Sequence, residues 1–430
     1  MNNKSITIIG SGINSYFFIK TILKKGYEVN LIDSDLNIED IKQNKIKYNN
    51  NISPKIRLKN FEQNIETYKI YNKFIYRNFD NQSALSIGGL SNIWGGTLYK
   101  FNDNDLKKNK LEDYNLYDFI KNIDNKKFFL KKQKPDNFFE NNINKNKFDT
   151  KYNDLLLFQN NEPFSVKEKI KDLIKEDKIK FISGFVDNIS KNNDIYTISI
   201  RSKNIKHSLT VKKLVLAAGS LSSTKLLMKL LKINTIRLLC TPSNQSIFIS
   251  TRKQVEVSLN SLLTFKQKNQ TDIVSNIFPL KGLNSRFFLD YIKMNLKIMV
   301  PFINFLKQYM YGIYTYYSSD YSNIKIKKNY ENFIIEGFEL NKNSYHLKNF
   351  YNKRLIKIPF TNKNLLQGTD NHIGGSFPLE KYFNNFNELN NFKNLFVIDG
   401  TYLNYIPPLG YTMITILNSI RIAEKLGNEN

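Results

Sequence analysis

The side chains best suited to proton transfer in this sequence are its histidines, of which there are 3. His372 lies between two glycine-bearing turns, in the stretch 368–375. An imidazole is a base that works near neutral pH and can take a proton from a bound hydroxyl group. His207 and His346 lie among polar residues, and we expect both to be solvated. His372 is therefore the candidate catalytic residue.

A second set of residues has the spacing of a phosphate-binding turn. A short β-branched run is followed by Gly-Ser-Gly-Ile-Asn-Ser and then by a helical pattern. Gly10 permits a tight turn, Gly12 lets the backbone approach a pyrophosphate, and the small Ser15 lets helix and strand pack closely. The next predicted strand ends at Asp33, which is placed to accept a hydrogen bond from a ribose hydroxyl. The pattern predicts dinucleotide binding, and the alternative is a glycine-rich turn without a ligand.

Other stretches also bring glycine to points where the backbone comes close to another group. The only tryptophan stands between two Gly pairs in the stretch 85–96. The apolar run 214–219 ends in Ala-Ala-Gly at the start of a helix, which favours a second close approach to a nucleotide. The predicted strand 395–398 ends at Asp-Gly, and a final helix begins at Tyr411 or Thr412.

The periodicity of apolar residues predicts the elements that hold these stretches. Helices are predicted at roughly 60–74 and at 166–175. Strands are predicted at 178–182, 194–201, 208–211, 247–249, 255–259, 273–278, 313–317, 324–327 and 332–336, the last two forming a hairpin.

The composition limits the class of protein. The chain has 430 residues, 41% of them hydrophobic, which suffices for two or three domains or one large interleaved domain. Its single cysteine, Cys240, excludes an intrachain disulfide and an all-cysteine metal site, and we predict no metal. We see no signal peptide and no stretch of about 18 uninterrupted apolar residues, so we expect a cytoplasmic protein without a spanning helix.

The formal net charge of +26 raises the question of nucleic-acid binding. Lysine is spread along the chain, and no arginine-rich block, zinc signature or RNA-binding aromatic motif accompanies it. We expect no nucleic-acid partner and a solvated basic surface; attraction to an anionic membrane or an acidic substrate is the secondary interpretation. Residues 287–310 are apolar and aromatic with spaced lysines. They predict either helices that cover a sheet or a segment in peripheral contact with an anionic membrane.

Five blocks in one order resemble the glucose–methanol–choline (GMC) family of FAD-dependent alcohol oxidoreductases. They read GSGINS, GGLSNIWGG, LVLAAGSLSS, HIGGSFP and, near the end, VIDGT with TMITIL. The resemblance implies an α/β fold with a discontinuous FAD-binding Rossmann-like domain (βαβ, three-layer) and an α+β substrate-binding domain built on a mainly antiparallel sheet. The FAD-binding domain would comprise residues 1–100, 161–235 and 365–430, and the substrate-binding or cap domain residues 101–160 and 236–364.

The resemblance also implies roles for single residues. The implied cofactor-binding residues are Gly10, Gly12 and Ser15 at the pyrophosphate, Asp33 at the adenosine ribose, Val186, Ala218 and Gly219 at the adenine, Gly88, Gly89, Ser91 and Asn92 toward the flavin ring, Asp399 and Gly400 at the ribityl chain and pyrophosphate, and Thr412 and Met413 at the flavin pyrimidine. The last two would direct N–H groups of a helix start at a ring that is anionic when reduced.

In the same resemblance, His372 corresponds to the active-site histidine. The implied reaction is oxidation of an alcohol CH–OH group, with a sugar as one option, by hydride transfer to flavin N5 with His372 as the base. The family's second His or Asn before the final helix is absent, and Tyr411 lies near that position. We expect Tyr411 to be the second catalytic residue, which helps to position the substrate hydroxyl: its phenol, with a reference pKa of about 10, can donate a hydrogen bond to an alkoxide but is a poor second base. The block that carries a flavin-linked histidine in some relatives has Ile93 here, so we predict noncovalent FAD.

Two alternatives stay open at this point. One is another FAD-dependent oxidoreductase of the same fold, such as a monooxygenase or a reductase that uses NAD(P)H; a second nucleotide fingerprint would favour it, and we find none. A flavin-binding, membrane-peripheral protein with little turnover is suggested by the missing partner of His372 and by residues 287–310. The motifs leave open the identity of the small-molecule alcohol or sugar, the electron acceptor and the oligomeric state.

Overall fold

The three-dimensional structure is a computed structural model. It describes residues 4–34, 62–112, 130–132, 136–150, 155–159, 162–253, 262–280, 301, 305–338, 355–357 and 363–428, apart from residues 82, 84, 93, 95, 100, 144, 203, 204 and 269. The predicted strand 255–259, His346 and Ile93 lie outside the described residues, as does most of 287–310.

Helices and strands alternate along the described chain. The helices are α1 (Ile13–Leu23), α2 (Glu62–Asn72), α3 (Asp103–Lys108), α4 (Asn137–Asn142), α5 (Lys167–Lys175), α6 (Ser220–Leu230), α7 (Leu379–Tyr382) and α8 (Thr412–Asn428). The first strands are β1 (Ser5–Ile9), β2 (Glu28–Asp33), β3 (Phe74–Arg77), β4 (Thr97–Leu98), β5 (Leu130–Lys132), β6 (Phe148–Asp149), β7 (Leu155–Gln159), β8 (Glu162–Pro163), β9 (Lys180–Ser183), β10 (Phe185–Asn192), β11 (Ile195–Ser202) and β12 (Ile205–Val211). The remaining strands are β13 (Leu214–Leu216), β14 (Thr235–Cys240), β15 (Ser243–Ser250), β16 (Leu263–Gln267), β17 (Ile273–Pro279), β18 (Met310–Tyr317), β19 (Ile324–Asn329), β20 (Asn332–Gly337), β21 (Leu355–Lys357), β22 (Lys363–Asn364), β23 (Ile373–Gly374) and β24 (Leu395–Val397).

A five-stranded parallel sheet with the strand order β24-β13-β1-β2-β9 forms the base of the molecule. Residues on both faces of its central strands are buried, among them Ile6, Ile8 and Ile9 of β1 and all of Leu214–Leu216 in β13, as is usual for a parallel sheet. The first and last helices, α1 and α8, pack against each other. The hydroxyl group of Tyr27, just before β2, donates to the carbonyl oxygen of Leu426 near the end of α8 at 2.8 Å. The two ends of the chain therefore form one unit.

A seven-stranded sheet forms the second large element, and its strand pairs are antiparallel. Side chains alternate between its two faces because successive residues of a strand point to opposite sides. Ile277 and Ile313 on one face pack with Phe139 of α4 in a small separate core. Phe278 of β17 and Tyr316 of β18 belong to the other face.

Three smaller sheets are also found among the described residues. Their orders are β10-β11-β12, β23-β14-β19-β20-β3, and β4-β7-β5 with β8 on β7. The parallel sheet is built from segments predicted for FAD binding, and the seven-stranded sheet from segments predicted for the cap. The sheet that contains β14, β19 and β23 takes strands from both. The α/β fold class predicted from the sequence is confirmed, whereas the domain boundaries stay a prediction.

Several predicted elements are found with shifted ends. The predicted helix 60–74 is α2, which ends at Asn72 because Lys73 adopts a positive φ of 57° and Phe74 begins β3. The predicted hairpin 324–336 and the antiparallel pair at 194–211 are present as β19–β20 and β11–β12. Met310 begins β18, so it does not continue a helix from residues 287–309.

Candidate functional site

The first glycine turn lies where β1 meets α1. Gly10 has φ +97°, and a Cβ added there would lie 2.3 Å from the carbonyl oxygen of Ala217, so only glycine fits. Gly12 is the N-cap of α1, and an added Cβ there would meet nothing within 4 Å. The helix start therefore opens onto empty space with N–H groups that attract an anion. The side chain of Ser15 is buried and donates to the Gly10 carbonyl oxygen at 2.6 Å, so it supports the turn from behind.

Asp33 ends β2 beside this turn. Its Oδ2 accepts hydrogen bonds from the backbone N–H of Ser11 at 2.7 Å and from the Ser11 hydroxyl. Burial raises the pKa of Asp33 to about 6, although these bonds oppose the rise. The Ser11 hydroxyl also accepts from the N–H of Gly88 at 3.0 Å, which joins the second glycine block to the first.

The second glycine block forms a short 3₁₀ turn over Gly89–Asn92. Ser91 donates to the carbonyl oxygen of Gly88 at 2.7 Å and accepts from the backbone N–H of Val166. Asn92 donates to the Ile87 carbonyl oxygen at 2.9 Å, and its Oδ1 accepts from Ser165 at 2.7 Å. The Asn92 side chain thus holds the loop together.

Gly219 marks the start of α6, just after β13, the strand that pairs with β1. It is the N-cap with φ +83°, and an added Cβ would meet nothing within 4 Å. Asn72 of α2 and Ser222 of α6 stand nearby, and the hydroxyl groups of Tyr68 and Ser222 are 2.9 Å apart. This end of the site is therefore closed by α2, a helix to which the sequence assigned no role.

Asp399 follows β24 and holds the turn into the last segment. Its carboxylate accepts from the Ser223 hydroxyl at 2.5 Å and from the backbone N–H of Thr401 at 3.0 Å. Burial raises the pKa of Asp399 above its ordinary value. Asn14 of α1 donates to the Ile398 carbonyl oxygen at 3.1 Å and accepts from Thr415 of α8, so it fixes the start of both helices against β24.

His372 stands at the other end of the site, half-buried, and its ring pairs with Asp370. Its Nδ1 lies 3.2 Å from Asp370 Oδ2 and 3.4 Å from Thr241 Oγ1. The Asp370 side chain is only 5% exposed, and burial raises its pKa while the pairing with His372 opposes the rise. Gly410 has φ +91°, and a Cβ there would lie 2.4 Å from His372 Nε2, so the ring occupies room that only glycine leaves.

Tyr411 lies beside His372 with its hydroxyl turned into the protein. The hydroxyl donates to the Ile373 carbonyl oxygen at 2.6 Å and lies 3.3 Å from Ser220 Oγ. The two ring centroids are 6.1 Å apart at 66°, an edge-on contact. Burial raises the pKa of Tyr411 well above its ordinary value. This tyrosine is therefore a neutral phenol that supports the ring of His372.

These parts surround one cavity of about 590 Å³ that runs from Asp33 to His372. The residues predicted from the sequence that line it are Gly10, Gly12, Asp33, Gly88, Gly89, Ser91, Val186, Ala218, Gly219, His372, Asp399, Gly400, Tyr411 and Thr412. Ser15, Asn92 and Met413 do not line it. Ser15 and Met413 are buried in the packing of α1 and α8, and Asn92 is held by its own loop.

Sequence reasoning missed several lining residues. Asp370 stands two positions before His372, so the spacing Asp-x-His could have identified it. Phe278 and Tyr316 also line the cavity, but they lie in ordinary strand patterns that mark no site, and Tyr99, just after β4, lies in no pattern that marks one.

Two findings concern membrane-spanning helices and metal sites. Among the described residues, no helix is long and apolar enough to cross a membrane. In the same part of the chain, no group of three or more His, Cys, Asp and Glu side chains could hold a metal ion.

Comparisons with known proteins identify the fold. No family model and no curated protein matches the chain. Among solved structures, it is similar to the crystal structure of pyridoxine 4-oxidase from Mesorbium loti, with a TM-score of 0.71. The alignment covers 98% of this chain and 99% of that chain at 12% sequence identity. The likeness at this identity establishes the fold over the whole chain.

Proposed function

We propose that the cavity binds FAD noncovalently and that the protein oxidises an alcohol CH–OH group. The observation that carries the proposal is that one cavity connects the glycine turn at the start of α1 with the imidazole of His372. An elongated cofactor with a phosphate-bearing middle and a ring at one end fits such a space. The similarity to a solved oxidase supports the same class of chemistry.

The described residues fit this cofactor. Gly12 and Gly219 each begin a helix and leave empty space where a Cβ would stand, which suits a close approach of phosphates to backbone N–H groups. Asp33 supplies a carboxylate for a ribose hydroxyl. Thr412 lies on the cavity wall at the start of α8, where helix N–H groups favour a negative charge.

His372 would act as the base through Nε2. Its Nδ1 is paired with Asp370, which selects the ring tautomer that carries a proton on Nδ1 and leaves the Nε2 lone pair as acceptor. When the hydroxyl proton of the alcohol moves to Nε2, the ring becomes positively charged, and the carboxylate of Asp370 stabilises that charge. When bound, the flavin supplies the acceptor for the hydride that leaves the carbinol carbon as the carbonyl bond forms.

The test is anaerobic mixing of the flavin-loaded protein with a panel of alcohols while the flavin absorbance is recorded. We expect a member of the panel to bleach the flavin, and His372→Gln to slow that bleaching by about 10²–10⁴-fold with the flavin retained, because the base is lost. His207→Gln is the matched control, since His207 lies exposed on β12. Bleaching at the original rate in His372→Gln would refute the assignment of the base.

A flavin-binding protein with little turnover is the second candidate. One observation favours it: the Tyr411 hydroxyl donates its proton to the Ile373 carbonyl oxygen at 2.6 Å and not toward the cavity. The same panel separates the two candidates, because a protein without turnover would bind FAD and leave it oxidised with every alcohol.

A further inference from the structure

One end of the molecule carries the most exposed apolar side chains of the described residues. They are Tyr330, Ile70 and Ile205, which are 92%, 71% and 70% exposed, whereas each of the other large apolar side chains described is at most 60% exposed. Tyr330 lies in the turn between β19 and β20, Ile70 in the last turn of α2, and Ile205 at the start of β12. These three elements are distant in the sequence, but the fold joins them.

The turn between β19 and β20 is bonded to the end of α2. The ammonium group of Lys73, directly after α2, pairs with the carboxylate of Glu331. The backbone N–H of Phe333 in β20 donates to the Lys73 carbonyl oxygen at 2.9 Å, and the N–H of Lys73 donates to the carbonyl oxygen of Ile70 at 3.1 Å. Tyr330, which precedes Glu331, and Ile70 are therefore adjacent to the same ion pair.

The start of β12 is joined to the same helix. Lys206 of β12 is the cross-strand partner of Arg201 in β11. The guanidinium group of Arg201 lies 4.7 Å from the centroid of the Tyr71 ring in α2. Because Ile205 precedes Lys206 and Ile70 precedes Tyr71, the two isoleucines lie on adjoining elements at one end of the molecule.

Four lysines lie around one carboxylate at this end: Lys73, Lys206, Lys229 and Lys328. Pairing with Lys73 lowers the pKa of Glu331, and the positive charges of Lys229 and Lys206 lower it further. Burial lowers the pKa of Lys229, and the charges of Lys73 and Lys328 add to that effect while Asp187 opposes it. The lysines are thus close enough to repel one another, and a negatively charged partner would relieve the repulsion.

Helix α5 shows that a lysine-rich segment of this chain can be electrostatically balanced. Lys171 pairs with Glu168 at 3.7 Å within the helix. Just after the helix, Lys178 pairs with Glu176 at 2.5 Å. The high lysine content therefore does not by itself explain four lysines around Glu331.

We propose that this end of the molecule docks on the surface of an anionic lipid bilayer. The lysines would attract the lipid headgroups, and Ile70, Ile205 and Tyr330 would enter the boundary between headgroups and acyl chains. A nucleic acid would use the lysines but would leave the two isoleucines without an apolar partner, so a bilayer fits the surface better. The surface is separate from residues 287–310, for which the sequence suggested membrane contact. The inference does not depend on the proposed function.

The test is co-sedimentation of the full chain with phosphatidylcholine vesicles that contain either no phosphatidylserine or about 30% of it. We expect binding only to the vesicles with phosphatidylserine. The binding should weaken as the salt concentration rises, because salt screens the attraction between lysines and headgroups.

Two sets of substitutions that remove the same charge test the position of the surface. The first set lies on the proposed surface and consists of Lys73→Gln, Lys206→Gln and Lys328→Gln. It should weaken binding to the anionic vesicles about 100-fold, since each lysine contributes about fivefold. The control set lies in and after α5 and consists of Lys171→Gln, Lys175→Gln and Lys178→Gln. It should leave binding nearly unchanged, because these lysines lie outside the proposed surface.

Tyr330→Ser tests the apolar part of the contact. It should weaken binding several-fold and leave the dependence on salt unchanged, because it removes a ring and no charge. Tyr321→Ser is the matched control, since Tyr321 is also exposed, at 42%, and lies outside the proposed surface.

Four results would overturn the proposal. They are a lack of binding to the phosphatidylserine vesicles at about 0.1 M salt, equal weakening by the two sets of lysine substitutions, unchanged binding by Tyr330→Ser, and equally tight binding to a double-stranded DNA oligonucleotide. The last result, if the first set of lysine substitutions abolished it, would assign the surface to nucleic acid.

Discussion

Lys225 of α6 is a buried amine whose replacement should stabilise the protein. It is 3% exposed, and its Nζ lies 3.2 Å from Asn72 Oδ1 and 4.7 Å from the centroid of the Phe185 ring. Burial lowers the pKa of Lys225 to about 7 from an ordinary value of 10.5, and the positive charge of Lys229 lowers it further. The positively charged form of this side chain is therefore disfavoured in the folded protein.

The pH dependence follows from that difference. The unfolded chain keeps the proton on Lys225 up to about pH 10.5, whereas the folded chain releases it above about 7. Between these values the unfolded state binds more protons, so stability rises with pH from about 7 to about 10.5, and below about 7 it stays at its lowest level. Since one pKa unit corresponds to about 1.4 kcal/mol, the charged amine costs the folded state several kcal/mol at low pH. Lys225→Met also loses the bond to Asn72, worth about 1–3 kcal/mol, so we expect a net gain of about 2 kcal/mol near pH 6.

The measurement is urea unfolding of both proteins at several pH values between about 6 and 9. The gain from Lys225→Met should shrink as pH rises, because the wild-type amine becomes neutral. Lys175→Met, at an exposed helical position, is the control and should leave the pH dependence of stability unchanged. The reasoning is refuted if Lys225→Met destabilises the protein near pH 6, or if its effect is the same at every pH.

Three further predictions concern the site. Gly410→Ala should lower the rate of flavin reduction about 100-fold, because the added Cβ displaces His372. Gly26→Ala is the control: Gly26 has φ +77° and no atom within 4 Å of an added Cβ, so this change should cost about 1–2 kcal/mol of stability and no activity. Equal losses of activity in the two variants would contradict this prediction. Asp370→Asn should slow reduction about 100-fold and move the acidic limb of its pH profile, and an unmoved profile would reduce Asp370 to a structural role. Because burial raises the pKa of Asp33 to about 6, the affinity for FAD should weaken as pH falls through that value. Above about pH 6, Asp33→Asn should bind FAD about tenfold more weakly than the wild type. Flavin fluorescence measures both affinities, and a wild-type affinity that does not change with pH would contradict the role of Asp33.

The elements of the parallel sheet could be predicted because their patterns are local. Ser5–Ile9 is a short β-branched run followed by glycine, and the structure has β1 with those bounds. The final helix, predicted to begin at Tyr411 or Thr412, begins at Thr412. The predicted end of α2 is wrong by about two residues, because Lys73 adopts a left-handed backbone conformation. Lysine does not favour that conformation, so the sequence could not predict it.

Side-chain partners were harder to predict than elements. Asn92 stands inside a glycine block that suggests a ligand, yet its amide is satisfied by Ile87 and Ser165. Tyr411 stands next to the predicted active site, yet its hydroxyl is bonded to the Ile373 carbonyl oxygen. Both sets of hydrogen-bond partners are brought near by the fold, so the neighbouring residues in the sequence could not predict them.

The sequence by itself determined where backbone must come close to another group, because glycine, a strand pattern and a helix start are properties of a few consecutive residues. Only the tertiary structure decided which distant residues share one cavity. Tyr99, Phe278 and Tyr316 line one cavity with His372 because β17, β18 and the residue after β4 come together there, with Thr241 beside the imidazole. The sign of the charge in that cavity was also decided by folding, because burial gathers three aspartates along its wall in a chain with a net charge of +26.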